Sequence, residues 1–155
     1  METTSTQKTQ GRIDFEIRDK DGNLKDSWSV NNMIVNAGKA QLALLAIDAT
    51  AVPFTFLAVG SGTTAPALSQ TTLATEATLN GFARAAATVT RVTTTVTNDT
   101  ARLTKTFTAT GSQTIEEIGI FNAASAGTML GRALTTTKLL TSGDTLACTY
   151  NIIFS

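Results

Sequence analysis

Thr145-Leu146-Ala147-Cys148-Thr149-Tyr150-Asn151-Ile152-Ile153-Phe154 decides the fold class. Leu146, Cys148, Tyr150, Ile152 and Phe154 fall at every second position, and a β-strand sends alternate side chains to opposite faces. Five apolar side chains therefore line one face, as in a half-buried strand. The same reading extends backward along the chain. Thr128 to Leu134 follows an Ala-Ser-Ala-Gly turn at Ala124 to Gly127. Gln113 to Phe121, Ala101 to Thr110 and Phe82 to Val92 read as strands separated by Gly111 and Asn98-Asp99. Phe54 to Val59 enters Gly60-Ser61-Gly62 and then a long Thr/Ala/Ser loop to about Thr75. Nearer the start, Ile13, Phe15 and Ile17 alternate with Asp14, Glu16 and Arg18. Asp19 to Asn23 closes a hairpin with Asp21-Gly22 as a two-residue turn, and Leu24, Trp28 and Val30 lie on the returning strand.

One helix interrupts this pattern. Asn36 to Ile47 is apolar nearly all round, with Asn36 as its cap, which predicts a buried helix. Strands every eight to fifteen residues with turn signals between them predict a mainly β chain. The expected architecture is an antiparallel β-sandwich or jelly-roll-like barrel with one buried helix over residues 36–47. Residues 1–11 are polar beyond Met1 and read as a flexible N-terminal arm ahead of a single β-sandwich domain, 12–155. Phe107, Phe121, Ile152 and Phe154 are expected in the core. Neither a repeat nor a heptad pattern marks a fibrous shaft.

Composition removes most chemistry. The chain of 155 residues has twelve Lys+Arg against twelve Asp+Glu, so its formal net charge is zero. Such a balance gives no long-range attraction to a phosphate backbone or an anionic membrane, and neither nucleic acid nor membrane is expected as a partner. Histidine is absent, which takes away Ser-His-Asp and Cys-His catalysis and every His metal ligand. The single cysteine, Cys148, permits neither an internal disulfide nor a multi-Cys zinc site. No apolar segment resembles a signal peptide or a membrane span, which predicts a soluble protein made in a cytoplasm. Only 15% of the residues are charged, against about a quarter in an ordinary free domain. Threonine, roughly a fifth of the chain, supplies polarity without charge. A surface of that kind suits one covered by copies of itself or by a partner.

Four local patterns carry little chemistry of their own. Gly60-Ser61-Gly62-Thr63-Thr64-Ala65 fits a dinucleotide fingerprint in letters, but Pro66 and the polar residues after it open no helix to hold a pyrophosphate. Asp19, Asp21 and Asn23 resemble the first half of a calcium loop that lacks its Gly and Glu at the required places. Cys148 lies on the apolar face of its strand and reads as a small buried hydrophobe. Glu116 and Glu117 are adjacent, so on a strand they face opposite ways, and the inward one needs a cationic partner. Arg84 and Arg132 are the candidates for a structural ion pair or subunit contact. No cofactor, metal or catalytic residue is expected.

Three further stretches carry a family resemblance. They are Asn32-Met33-Ile34-Val35-Asn36-Ala37-Gly38 leading into the helix, Phe56 to Pro66 with Leu73-Ala74-Thr75-Glu76, and Ile115 to Ala123 with Gly127 to Arg132 and Gly143-Asp144-Thr145-Leu146. Together they resemble small β-rich structural proteins of tailed bacteriophages, tail-fibre-like or virion-associated, over most of residues 32–155. The resemblance places Arg84 after the Glu76 element and Leu130-Gly131-Arg132 before an aliphatic strand. It implies a virion location and a structural role.

The expected function is a non-enzymatic structural subunit of a tailed-phage virion, a homo-oligomer present in many copies and in contact with other virion proteins. A capsid-surface decoration or stabilising protein is slightly favoured over a compact tail or neck component. The candidate structural or interface residues are Glu116, Glu117, Arg84, Arg132 and Trp28. The alternative is a receptor-binding carbohydrate module on the same sandwich, with a host surface glycan as ligand. That reading needs exposed aromatics, and only 6% of the chain is aromatic.

Overall fold

In the computed structural model, which describes residues 8–155, the alternating apolar positions close into two five-stranded sheets facing one another. The strands are β1 (Thr9–Arg18), β2 (Leu24–Asn31), β3 (Met33–Ile34), β4 (Phe56–Gly60), β5 (Ala85–Ala86), β6 (Thr88–Val92), β7 (Thr100–Thr108), β8 (Gln113–Phe121), β9 (Met129–Leu140) and β10 (Thr145–Phe154). The first sheet has the order β2-β1-β10-β7-β6 and the second β3-β9-β8-β4-β5. Every pairing is antiparallel. The architecture is a sandwich, not a closed barrel.

Ile13, Phe15 and Ile17 of β1, Leu103 and Phe107 of β7, and Leu146, Cys148, Tyr150 and Ile152 of β10 point inward. They meet Leu57, Val59, Ile115, Ile118, Ile120 and Ala133 of the second sheet. Removing this apolar surface from water, at about 25 cal/mol per Å2, is what holds the sheets together.

Several details differ from the sequence reading. Helix α1 (Asn36–Leu45) is capped by the extended residue Val35 and not by the Asn36 side chain, while the Asn36 N–H donates to Leu68 O at 2.9 Å. The helix is not buried either. Only Gly38 is, pressed so close to β9 that a Cβ there would meet Leu130 O at 2.2 Å. Leu42 and Leu45 pack on the core, whereas Leu44 is exposed and Ile47 lies beyond the helix in solvent. Phe154, expected in the core, is 45% exposed and lines an apolar groove with Leu42, Leu45, Phe54 and Val89.

The stretch Phe82 to Val92 is two short strands in different sheets, joined at Ala87. The first hairpin turns through three residues, Lys20-Asp21-Gly22. The Gly22 N–H donates to Asp19 O, the Asp19 N–H donates to Asn23 O, and Gly22 has φ +86°.

Strand β1 begins at Thr9, opposite Phe154, so the polar stretch joins the sheet from Thr9 onward. Gly11 is a strand residue whose missing side chain admits Asn32, and the Asn32 amide donates to the buried Tyr150 hydroxyl. Residues 1–7 of the expected arm lie outside the described residues.

Candidate functional site

The second sheet is covered on both faces. Its outer face carries Ala58, Phe121 and Met129, and Val35 and Leu73 close over them. Leu73 belongs to the long loop after β4, which is tied back to that strand by the Gly60–Glu76 bridge. Beneath the loop lie two fully buried charges. Glu117 of β8 and Arg132 of β9 are both 0% exposed, with Glu117 Oε2 accepting from Arg132 Nε at 2.6 Å. A buried charge is tolerated only when paired and hydrogen-bonded, and here the loop backbone supplies the remaining donors. Glu117 Oε1 accepts from the N–H groups of Gly62 at 3.0 Å and Thr75 at 2.7 Å. Oε2 also accepts from the Ala74 N–H at 3.0 Å. Arg132 Nη1 donates to Thr64 O at 2.6 Å.

This arrangement explains Gly60-Ser61-Gly62. A Cβ on Gly62 would sit 2.4 Å from Glu117 Oε1, and one on Gly60 would meet Thr75 O at 2.1 Å. The glycines let backbone approach an anion, and that anion is the chain's own carboxylate.

A second ion pair closes the far side of the same loop. Arg84 is bidentate on Glu76, with Nε to Oε1 at 2.9 Å and Nη2 to Oε2 at 2.7 Å. Its Nη1 donates to Ala123 O and Ala126 O, and its guanidinium lies 3.5 Å from the centre of the Phe121 ring. Ala126 is at φ 51° and Gly127 at φ +72°, so the Ala-Ser-Ala-Gly turn presents its carbonyls to the arginine.

The structure thus brings Glu117 to Arg132 and Arg84 to Glu76, both under or beside one loop. Glu116 stays outside this cluster and accepts from Thr137 Oγ1 at 2.6 Å. Trp28 stands apart, on β2. Its ring stacks on Phe15 at 4.8 Å, its Nε1 donates to Thr135 Oγ1 at 2.6 Å, and Lys138 lies 4.3 Å above it. Sequence reasoning missed Gly62, Ala74 and Thr75 as partners of the carboxylate. The available signal was a glycine-rich turn with no helix behind it, in a chain with an inward Glu to satisfy.

Chemically the cluster is closed. Four N–H groups occupy the Glu117 oxygens, which leaves no free carboxylate edge for a substrate. Burial pushes the Cys148 thiol well above its ordinary range, the opposite of an activated nucleophile. Among the described residues no group of three or more Asp, Glu or Cys is placed to hold a metal ion. No helix among them is long and apolar enough to cross a membrane.

Comparison with known proteins agrees with a structural part. No curated protein matches the chain. Residues 34–153, from β3 to β10 and including both ion pairs, match the family model described as podophage GP4 fiber I protein gp80. The chain therefore belongs to this family of phage fibre proteins.

Proposed function

We propose that the chain is a non-enzymatic fibre subunit of a tailed-phage particle, carried in several copies and attached to other virion proteins at the tail. The match of residues 34–153 to a fibre family carries this reading. The architecture supports it. Two sheets and a loop clasped by two ion pairs make a rigid block, and the buried carboxylate and thiol are spent on structure. The carbohydrate-binding alternative gains nothing from Trp28 or Tyr150. Trp28 is covered by Phe15 and Lys138, and Tyr150 is fully buried, so neither offers a stacking platform. Electron microscopy of the intact particle, with antibody or a fused density marker on this chain, tests the proposal. Label confined to tail-proximal fibres is the expected result, and label spread over the head surface would overturn it.

A further inference from the structure

We infer that the β6 edge, with the apolar groove beside it, is the surface on which a second copy of this chain docks, through antiparallel pairing of β6 with itself about Thr90. The inference rests on the reading that copies of the chain meet in the particle, and it names the face they use.

The other three sheet edges are closed to a partner strand. β3 and β5 are two residues each. β2 is guarded by charge, with Lys25 held by Asp144 at 2.8 Å and Asp26 by Lys138 at 2.6 Å, and by Trp28 folded over toward β9. Natural edges are usually blunted in such ways to prevent unwanted pairing. β6 is longer than β3 and β5 and carries a single edge charge, Arg91. It lies at the end of its sheet, reads Thr88-Val89-Thr90-Arg91-Val92, and is exposed over its first four residues. The four residues other than Arg91, namely Thr88, Val89, Thr90 and Val92, are all β-branched and suited to cross-strand packing.

Self-pairing about Thr90 sets Thr88 against the second copy's Val92 and Val89 against its Arg91. No like charges then stand directly opposite, and only Thr90 faces itself. A two-fold contact needs such a self-complementary strand.

Pairing of five residues buries too little for a stable dimer, which needs about 1,200 Å2 or more in total. The apolar groove beside the strand is the further surface that a second copy would cover. It has a volume of about 410 Å3 between α1 and the inner face of the first sheet, and all its walls are apolar, including Leu42, Leu45, Phe54, Val89 and Phe154. Val89 belongs to both the strand and the groove wall, so pairing about Thr90 brings the two grooves together across the axis. Ile47, 86% exposed, and Val52 stand on the adjoining chain and extend the apolar face.

Sedimentation of the full chain tests the inference through one exposed position. The wild type is expected to dimerise at micromolar concentration. Thr90→Glu and Thr90→Lys each place like charges face to face, so each should weaken association tenfold or more while the melting temperature of the subunit changes little. An equimolar mixture of the two variants should restore the dimer, because only pairing about Thr90 sets the carboxylate against the ammonium. A wild type that stays monomeric, or variants that associate as it does, would overturn the inference. So would variants that lose attachment to the particle while the wild type remains monomeric, because the edge would then serve a different virion chain. The location of the chain in the particle is read separately by microscopy, so a dimer absent from the fibres defeats the proposed function and leaves this inference standing.

Discussion

On the outer face of the first sheet Arg12, Asp14, Glu16 and Arg18 meet water, whereas the outer face of the second sheet carries Glu117, Phe121, Met129 and Arg132 under a loop. Both faces bear ion pairs, but the surroundings reverse their weight. Arg12–Asp14 and Arg18–Glu16 are about half exposed, so solvent screens them and side-chain entropy offsets most of the gain. Glu117–Arg132 has no access to water, and each partner is stable only while the other and the loop backbone remain in place. The same two residue types are therefore decoration on one sheet and a clasp on the other.

The largest break in that contrast comes from Glu117→Ala. It strands the Arg132 charge and leaves the N–H groups of Gly62, Ala74 and Thr75 without their acceptor, for a cost of about 5 kcal/mol. Urea unfolding measures it. A loss below about 2 kcal/mol would mean that the loop can move aside and let water reach the arginine. Joining Glu117→Leu to Arg132→Met removes both charges and should recover part of the loss but not all of it, since the loop donors stay unpaired.

Phe121→Ala comes next, at about 3–4 kcal/mol, because the ring is buried beneath Leu73 and carries the Arg84 guanidinium. Phe154→Ala, at the uncovered end of the first sheet, should cost about 1 kcal/mol or less in the same assay. Equal losses at the two positions would show that Phe154 is covered in solution, as docking of a second copy would make it.

How much of this was legible depended on which face of a sheet a segment serves. β1 and β10 have one face in water, so Ile13, Phe15 and Ile17 and the run from Leu146 to Ile152 announced their alternation, and the inward set was read correctly from period two. β8 is covered on both sides and its register shifts between Ile115 and Glu117, so Ile115 and Ile118 both face the core and parity fails across the Glu-Glu pair. The need of an inward glutamate for an arginine was readable. The choice of Arg132 over Arg84 was not, since it depends on which residues β8 and β9 set side by side. β9 runs to Leu140, beyond the Leu134 at which the sequence pattern ends it, because Thr135, Thr136 and Thr137 carry no apolar alternation. The helix's apolar composition predicts burial, and the fold leaves its far face bare, with only Gly38 buried.

Acid separates the two kinds of pair more gently. Asp144, in the turn before β10, accepts from Lys25 Nζ at 2.8 Å and from the Thr141 N–H at 2.8 Å. The Lys25 hydrogen bond, followed by the Thr141 N–H, holds its carboxyl below the ordinary 3.8. A folded-state value below the unfolded one means that the unfolded chain binds more protons, so stability is present above about pH 4 and is lost as pH falls through the folded value. Asp144→Asn should cost about 1–2 kcal/mol at neutral pH, and the gap to the wild type should narrow as the solution is taken to pH 2. A constant gap across that range would place the contribution in packing of the turn and not in its charge.

The smallest effect belongs to the exposed face of the first sheet. Arg18→Ala removes the 3.0 Å contact to Glu16 and a hydrogen bond to Gly22 O at the hairpin. Both lie in water, where the lost contacts are replaced by hydration, and the expected change is about 0–0.5 kcal/mol. Raising the salt concentration to about 1 M shortens the screening length to about 3 Å and should reduce even that difference toward zero. Applied to Glu117→Ala, the same salt should leave the loss nearly unchanged, because no mobile ion enters a site without solvent. Two variants that respond alike to salt would show that the loop over Glu117 and Arg132 opens in solution, and the distinction between the two outer faces would then be one of degree.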